Sequence, residues 1–159
     1  MKSEAEIIKA VDMYSDMLRR VCFVYLKNEH DSEDIFQEVF IKYALHKKEF
    51  DSREHEKAWL LRVCINKCKD WLKSAARKNC SLGDIYSLPQ ETDEQAREVL
   101  AAVTGLPQNY RAVIYLHFYE GYTAGEIGKI IHKNANTVYT WIGRAKERLR
   151  QALGGEDDA

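Results

Sequence analysis

The stretch from Tyr122 to Leu153, YTAGEIGKIIHKNANTVYTWIGRAKERLRQAL, constrains this chain more than any other. Its first part places Ile127, Ile130 and Ile131 at i, i+3 and i+4, the spacing of one apolar helical face. A short polar turn, His132 to Asn136, interrupts that period. A second face follows, with Val138, Ile142, Ala145 and Leu149 at steps of four, three and four. Asn134 is placed to cap the second helix, because its side-chain oxygen accepts from the open amides of a first turn. Two short amphipathic helices joined by a tight turn make a helix-turn-helix. With its apolar face inward, the second helix turns Asn136, Tyr139, Thr140, Gly143, Arg144 and Glu147 outward, and Lys146, Arg148 and Arg150 follow. Short polar groups at the start of a helix, with cations further along, suit a helix lying in a major groove. A plain helical hairpin with a solvated basic face satisfies the same periodicity, so the pattern alone leaves both readings open.

EGYTAGEIGKII, then NANTVYTWIGRAKERLRQAL, resembles the last conserved region of bacterial sigma factors of the extracytoplasmic-function group. The matching positions are Glu126, Ile127, Thr137, Val138, Arg144, Ala145, Leu149 and Arg150. The preceding LPQNYRAVIYLHFYEGYT is similar too, with a Leu-Pro, an Arg near the helix start and an apolar helix ending before a Gly. The resemblance implies that Asn136, Thr137, Tyr139, Thr140, Gly143, Arg144 and Arg148 bind a promoter −35 element. Five positions depart from the family. Gly128 stands where Ala is usual, and His132 where the turn usually has Gly. Lys133 replaces a small aliphatic, and Tyr139 and Trp141 occupy positions that are often basic. His132 is therefore expected to adopt a left-handed backbone, which glycine reaches more comfortably.

Length and composition agree with helix. The 159 residues suffice for one medium domain or two small ones. Apolar content of 45% permits a core, and two prolines and eight glycines leave long uninterrupted stretches. No apolar run is long enough to span a membrane. The first residues, MKSEAEIIKAVDMYSDML, are amphipathic and carry no apolar signal core, so a cytoplasmic protein is expected. A net charge of −1 conceals strong segregation. Residues 54–80 carry seven basic and three acidic groups, and residues 121–153 carry six and two, so each block is +4. Residues 81–110 between them carry one basic and five acidic groups, −4. Two basic blocks separated by an acidic connector suit a chain expected to make two DNA contacts.

Read in order, Glu6 to Leu26 is an amphipathic helix through Ile7, Ile8, Val11, Tyr14, Met17, Leu18, Val21, Cys22 and Tyr25. Lys27 to Asp31 is a polar break, and Ser32 caps a helix over 33–46. DSEDIFQEVFIKYALHKKEF resembles the most recognisable sigma motif, in which this helix docks on a coiled coil of RNA polymerase's largest subunit. The resemblance makes Asp34, Gln37, Glu38 and Ile41 contacts to core RNA polymerase. Asp51 to Glu56 is expected as loop, and Lys57 to Lys78 as helix. AWLLRVCINKCKDWLKSAARK resembles the segment that grips the −10 element, matching at Trp59, Leu60, Arg62, Asn66 and Asp70. It implies Arg62, Asn66, Lys69 and Lys73 as −10 contacts. Opening DNA needs cations for phosphate and flat groups against exposed bases, and this helix supplies both. Trp59 is nevertheless expected to pack in the core, as large aromatics usually do. Residues 79–93 read as the linker, Glu94 to Thr104 as a helix, Gly105-Leu106-Pro107 as a break. Gln108 to Tyr119 is a helix with Val113, Ile114, Leu116 and Phe118 in the core.

Cys22, Cys64, Cys68 and Cys80 contain no C-x-x-C pair. Cys64 and Cys68 lie one helical turn apart, so buried free thiols are the plain reading, and a zinc site with a histidine lacks the ligand spacing. No Gly-rich phosphate loop and no nucleophile with a base appear, so neither an enzyme nor a cofactor is indicated. The expected architecture is all-α, with two small helical domains joined by a flexible linker, the second containing the helix-turn-helix. Residues 1–78 would bind core polymerase and the −10 element, 79–93 would link, 94–153 would bind the −35 element, and 154–159 form an acidic tail. The resemblance also implies an anti-sigma factor as partner, promoter DNA as ligand, and no membrane insertion. Two other readings remain: a free-standing helix-turn-helix regulator, and a non-DNA interaction protein that binds a sigma regulator.

Overall fold

The computed structural model describes residues 1–77 and 94–154, which form seven α-helices and one π-helical turn, with no strand among them. The linker expected over 79–93, Cys80 and the acidic tail beyond Gly154 lie outside the described residues. The chain divides into two compact units, Met1–Tyr86 and Ser87–Ala159.

The first unit is a three-helix bundle of α1 (Glu4–Leu26), α2 (Glu29–Leu45) and α3 (Arg53–Arg77). A reciprocal cap starts α1: the Ser3 hydroxyl accepts from the Glu6 N–H, while the Glu6 carboxylate reaches back to Ser3. The core takes Leu18, Val21 and Cys22 from α1, Ile35 and Val39 from α2, and Leu60, Leu61, Cys64 and Ile65 from α3. None is more than 1% exposed, and each large aliphatic among them contributes roughly 1.5–3 kcal/mol by leaving water. Glu56 ties the three helices together. Its carboxylate accepts from the Tyr14 hydroxyl of α1 at 3.0 Å and from the Tyr43 hydroxyl of α2 at 2.7 Å.

Both inner helix starts differ from expectation. The cap of α2 is Asn28, whose side-chain oxygen accepts from the N–H groups of His30 and Asp31. Lys27, left-handed at φ 57°, turns the chain sharply enough that a break of two residues suffices. Ser32 therefore lies inside the helix, buried, with its hydroxyl donating to the Asn28 carbonyl. Likewise α3 begins at Arg53 instead of Lys57, because the Ser52 hydroxyl accepts from the His55 N–H. The loop between α2 and α3 accordingly spans 46–52.

The second unit comprises α4 (Glu94–Thr104), α5 (Gln108–Ile114), a π-helical turn over Tyr115–Tyr119, α6 (Ala124–Ile131) and α7 (Ala135–Ala152). The break at Gly105-Leu106-Pro107 is held by Arg111, 6% exposed, whose Nη1 donates to the Leu106 carbonyl at 2.7 Å. Val113, Leu116, Ile127, Val138 and Ala145 form the centre of the core, each at most 1% exposed. Phe118, expected there, is 56% exposed. The π turn, with the Glu120 N–H bonded to the Tyr115 carbonyl, rotates the following side chains away from the α-helical register. Residues 115–119 thus leave only Leu116 buried.

Candidate nucleic-acid and polymerase interfaces

The helix-turn-helix is built by two caps and one left-handed residue. Thr123 and Glu126 form a capping box at the start of α6. His132 ends that helix at φ 61°, ψ 48°, the left-handed conformation expected of it. Asn134 then caps α7 by accepting from the Thr137 N–H at 2.9 Å. Gly128 lies beneath this turn: a Cβ there would run into the Lys133 carbonyl oxygen. The departures at 128, 132 and 133 therefore belong to one tight turn.

α7 packs on α5 and α6 through Val138, Ile142 and Ala145, with Leu149 partly buried beside Tyr110. Its opposite side is open. Asn136, Tyr139, Thr140, Gly143, Arg144 and Arg148 are exposed, Tyr139 at 66%, and Thr137 is half-buried at the cap. The Thr140 hydroxyl donates back to the Asn136 carbonyl at 3.0 Å, so it is turned along the helix. A Cβ at Gly143 would meet nothing within 4 Å, so packing does not demand glycine there. Arg148 lies 5.4 Å over the Tyr110 ring and Lys146 5.2 Å over Phe118. Arg150 donates to Glu147 through Nε at 3.1 Å, an intrahelical pair that lowers the Glu147 pKa and offsets one of the cations.

On α2, burial of Ile35, Phe36, Val39, Phe40 and Tyr43 turns Asp34, Gln37, Glu38 and Ile41 outward along one stripe. Ile41 is 60% exposed, and so is Leu45 one turn on, a residue the sequence reading passed over. Glu38 pairs with the half-buried Lys67 of α3 at 3.6 Å, a partly exposed pair of modest strength.

On α3, Arg62, Asn66, Lys69 and Lys73 fall at i, i+4, i+7 and i+11, a single stripe. Asn66 and Lys73 are exposed, and Arg62 and Lys69 half-buried. Arg62 Nε is buried without a hydrogen-bond partner among the described residues. Trp59, at the head of the stripe, is half-buried and not in the core. It joins an aromatic group with His46 at 4.5 Å, Phe50 at 5.5 Å and Tyr43 at 6.3 Å between ring centres. His55 stands edge-on to Phe50, and the Lys2 ammonium lies 5.1 Å from the Phe50 ring centre. Desolvation and then the Lys2 charge push the His46 pKa down. His46 was not singled out in the sequence, because no helical period marks a residue on a loop, whereas Phe50 and His55 fall in the 50–56 segment that the resemblance offers as walls for an extruded base.

Cys22, Cys64 and Cys68 meet inside the first unit, each 0% exposed, with all three sulfurs within 4.8 Å of one another. The Cys22 and Cys64 sulfurs are 3.5 Å apart, and Cys64 Sγ lies 3.9 Å from the Leu18 carbonyl. Hydrogen bonds from Cys64 and Cys68 lower the Cys22 pKa, while the same bonds to Cys22, with burial added, raise those of Cys64 and Cys68. The pairing of Cys64 with Cys68 follows from their spacing, but Cys22 arrives from a different helix.

Comparison with known proteins decides the family. Residues 10–78 match Sigma-70 region 2, and residues 96–149 match Sigma-70, region 4. The Bacillus subtilis ECF RNA polymerase sigma factor SigW is 30% identical over 90% of this chain and 86% of its own length. The chain belongs to the extracytoplasmic-function (ECF) family of RNA polymerase sigma factors. ECF SigX of the same organism is also 30% identical, over 89% of this chain and 80% of its own. Among solved structures, the sigma factor RpoE in complex with the anti-sigma factor NepR from Bartonella quintana superposes with a TM-score of 0.80 at 18% identity, covering 95% of this chain and 98% of RpoE. CnrH in complex with the cytosolic domain of CnrY gives 0.68 at 24%, covering 97% and 91%. The ECF sigma factor described here is thus a transcription initiation factor that directs RNA polymerase to promoters, and not an enzyme. Among its described residues no helix is long and apolar enough to cross a membrane.

Proposed function

We propose a division of labour among the three exposed stripes. The α2 stripe of Asp34, Gln37, Glu38 and Ile41 docks on core polymerase, with Leu45 extending its apolar end. The α3 stripe of Arg62, Asn66, Lys69 and Lys73 meets the −10 element, cations on phosphate and Asn66 on bases. The aromatic group around Trp59 offers flat surfaces to bases that leave the stack. The α7 face from Asn136 to Arg148 reads the −35 element, its amino-terminal end entering the major groove. Residues 1–78 and 94–153 then act as the polymerase and −10 module and the −35 module, and the protein works in the cytoplasm.

The observation that carries this reading is on α7. Its buried residues are all on the α5–α6 side, and Asn136, Tyr139, Thr140 and Arg144 are left together on the open one. Solved structures similar to this one include RpoE in complex with the anti-sigma factor NepR and CnrH in complex with the cytosolic domain of CnrY. We extend that to an anti-sigma factor for this chain.

The test is co-purification of the full chain with core RNA polymerase, followed by transcription from genomic fragments. The reading expects a stable complex and transcripts that start at a shared promoter sequence. A complex that starts transcription indiscriminately would remove the −35 and −10 assignments, and failure to bind core would remove the α2 assignment.

A further inference from the structure

We propose that Cys22, Cys64 and Cys68 form a binding site for one soft monovalent metal ion, Cu(I), held between α1 and α3. The geometry is close to what such an ion requires. With metal–thiolate bonds of about 2.3 Å, three sulfurs around one ion in a plane stand about 4.0 Å apart. Here all three sulfurs lie within 4.8 Å of one another and one pair is at 3.5 Å, so small rotations about the Cα–Cβ bonds complete the triangle.

The donor set selects the metal. It is sulfur alone: no histidine or carboxylate joins the three thiols among the described residues. Hard cations such as Mg2+ and Ca2+ take oxygen ligands, and this cluster provides none from a side chain. Zinc prefers four ligands in a tetrahedron, and the described residues supply three. Soft thiolates favour Cu(I), for which a three-sulfur set leaves no ligand position unfilled. Each thiol that becomes a ligand releases its proton to water, and the ion takes its place.

The position gives the site a consequence. Cys22 and Cys64 are 42 residues apart in sequence, so one ion would cross-link the first helix of the unit to the third. Cys64 and Cys68 lie on the back of α3, and Asn66 between them projects from the front. Because each cysteine is 0% exposed, the ion enters when α1 and α3 part, and its binding holds them closed.

The experiment uses the full, reduced chain without oxygen, titrated with Cu(I) against a competing Cu(I) chelator. One equivalent should bind, with thiolate-to-metal absorption in the ultraviolet. At a hundredfold excess over Kd the unfolding midpoint of the first unit should rise by roughly 10 °C. X-ray absorption should find three sulfurs at about 2.3 Å. Cys22→Ala, Cys64→Ala and Cys68→Ala should each lose the bound ion, and Cys80→Ala should keep it. No uptake by folded protein whose four thiols are shown reduced would overturn the proposal, as would uptake unchanged in Cys22→Ala. The absorption measurement is made on the unaltered chain, so two sulfurs in place of three would overturn it even if a variant failed to fold.

Discussion

Glu56 and Gly128 show how much a single position carries. Glu56 stands in a segment that reads as loop, yet it is the acceptor for two phenols that are 5% and 2% exposed, Tyr14 and Tyr43. Burial first, and then the bond to Glu56, push both phenol pKa values well up. Glu56→Ala strands the Tyr43 hydroxyl and leaves Tyr14 only the Arg53 carbonyl at 3.5 Å, and should cost roughly 1–3 kcal/mol in urea unfolding, since a buried donor without a partner is expensive. Glu56→Gln keeps an acceptor and should cost less; equal losses from both would mean that the carboxylate does not hold the phenols. The phenol pKa values are raised on folding, so their contribution is complete below the unfolded value of about 10 and is lost as pH rises beyond it. Gly128 is constrained by space. In an open helix Gly→Ala gains about 1 kcal/mol. Here the new methyl meets the Lys133 carbonyl oxygen, part of the backbone, which cannot simply swing aside. Gly128→Ala should therefore destabilise the second unit by about 1–3 kcal/mol, and a stabilised variant would show the turn to be looser than described.

Helix ends decide the elements. Thr123→Ala removes one half of the α6 capping box and should cost about 1 kcal/mol by thermal unfolding of the second unit. The other half is pH-dependent: hydrogen bonds from the Thr123 backbone and hydroxyl lower the Glu126 pKa. That contribution is present above the ordinary carboxylate pKa and is lost as pH falls through the folded value, so Glu126→Gln should flatten the acid limb of the stability curve. Caps also mark where sequence reading succeeded and where it slipped. Asn134 was legible because it is the first good cap after the apolar period of α6 ends. At α2 both Asn28 and Ser32 are good caps, and only the left-handed turn at Lys27 selects the first. Phe118 fits a helical period, but the period changes at the π turn, which no composition signals. Cys22 joins Cys64 only through helix packing across distant sequence, which spacing does not encode. On α2, by contrast, the outward direction of Asp34, Gln37, Glu38 and Ile41 was legible, because five buried residues on one helix fix the direction of the rest, although Leu45 beside them was not. Its prediction is of the same kind. Asp34→Arg with Glu38→Arg should abolish binding to core polymerase and leave the helical content unchanged, since both side chains are exposed. Normal core binding by the folded double variant would take the polymerase role away from α2.

At the scale of the whole molecule, charge is segregated while the sum is −1. A chain of this kind has little attraction for DNA in general and relies on where its cations sit. On α7 two of the three exposed arginines, Arg144 and Arg148, should then behave differently. Arg144 is one turn beyond Thr140 on the open face, where the proposed −35 contact puts base edges. Arg148 is a turn further on and lies over the Tyr110 ring, a position suited to phosphate. Losing a base-reading side chain costs about 1–3 kcal/mol at the right sequence and little elsewhere. Losing a phosphate contact weakens all sequences alike and lowers the slope of log K against log salt by about one. In holoenzyme assembled with core polymerase, Arg144→Ala should reduce the ratio of specific to scrambled −35 binding by about tenfold or more. Arg148→Ala should leave that ratio unchanged while flattening the salt dependence. Competition between matched and scrambled duplexes at several salt concentrations reads both quantities at once. If Arg144→Ala leaves the ratio intact, α7 is not reading bases through this face. If the two variants exchange behaviours, the groove contact lies nearer the carboxyl end of the helix than its exposed amino-terminal residues indicate.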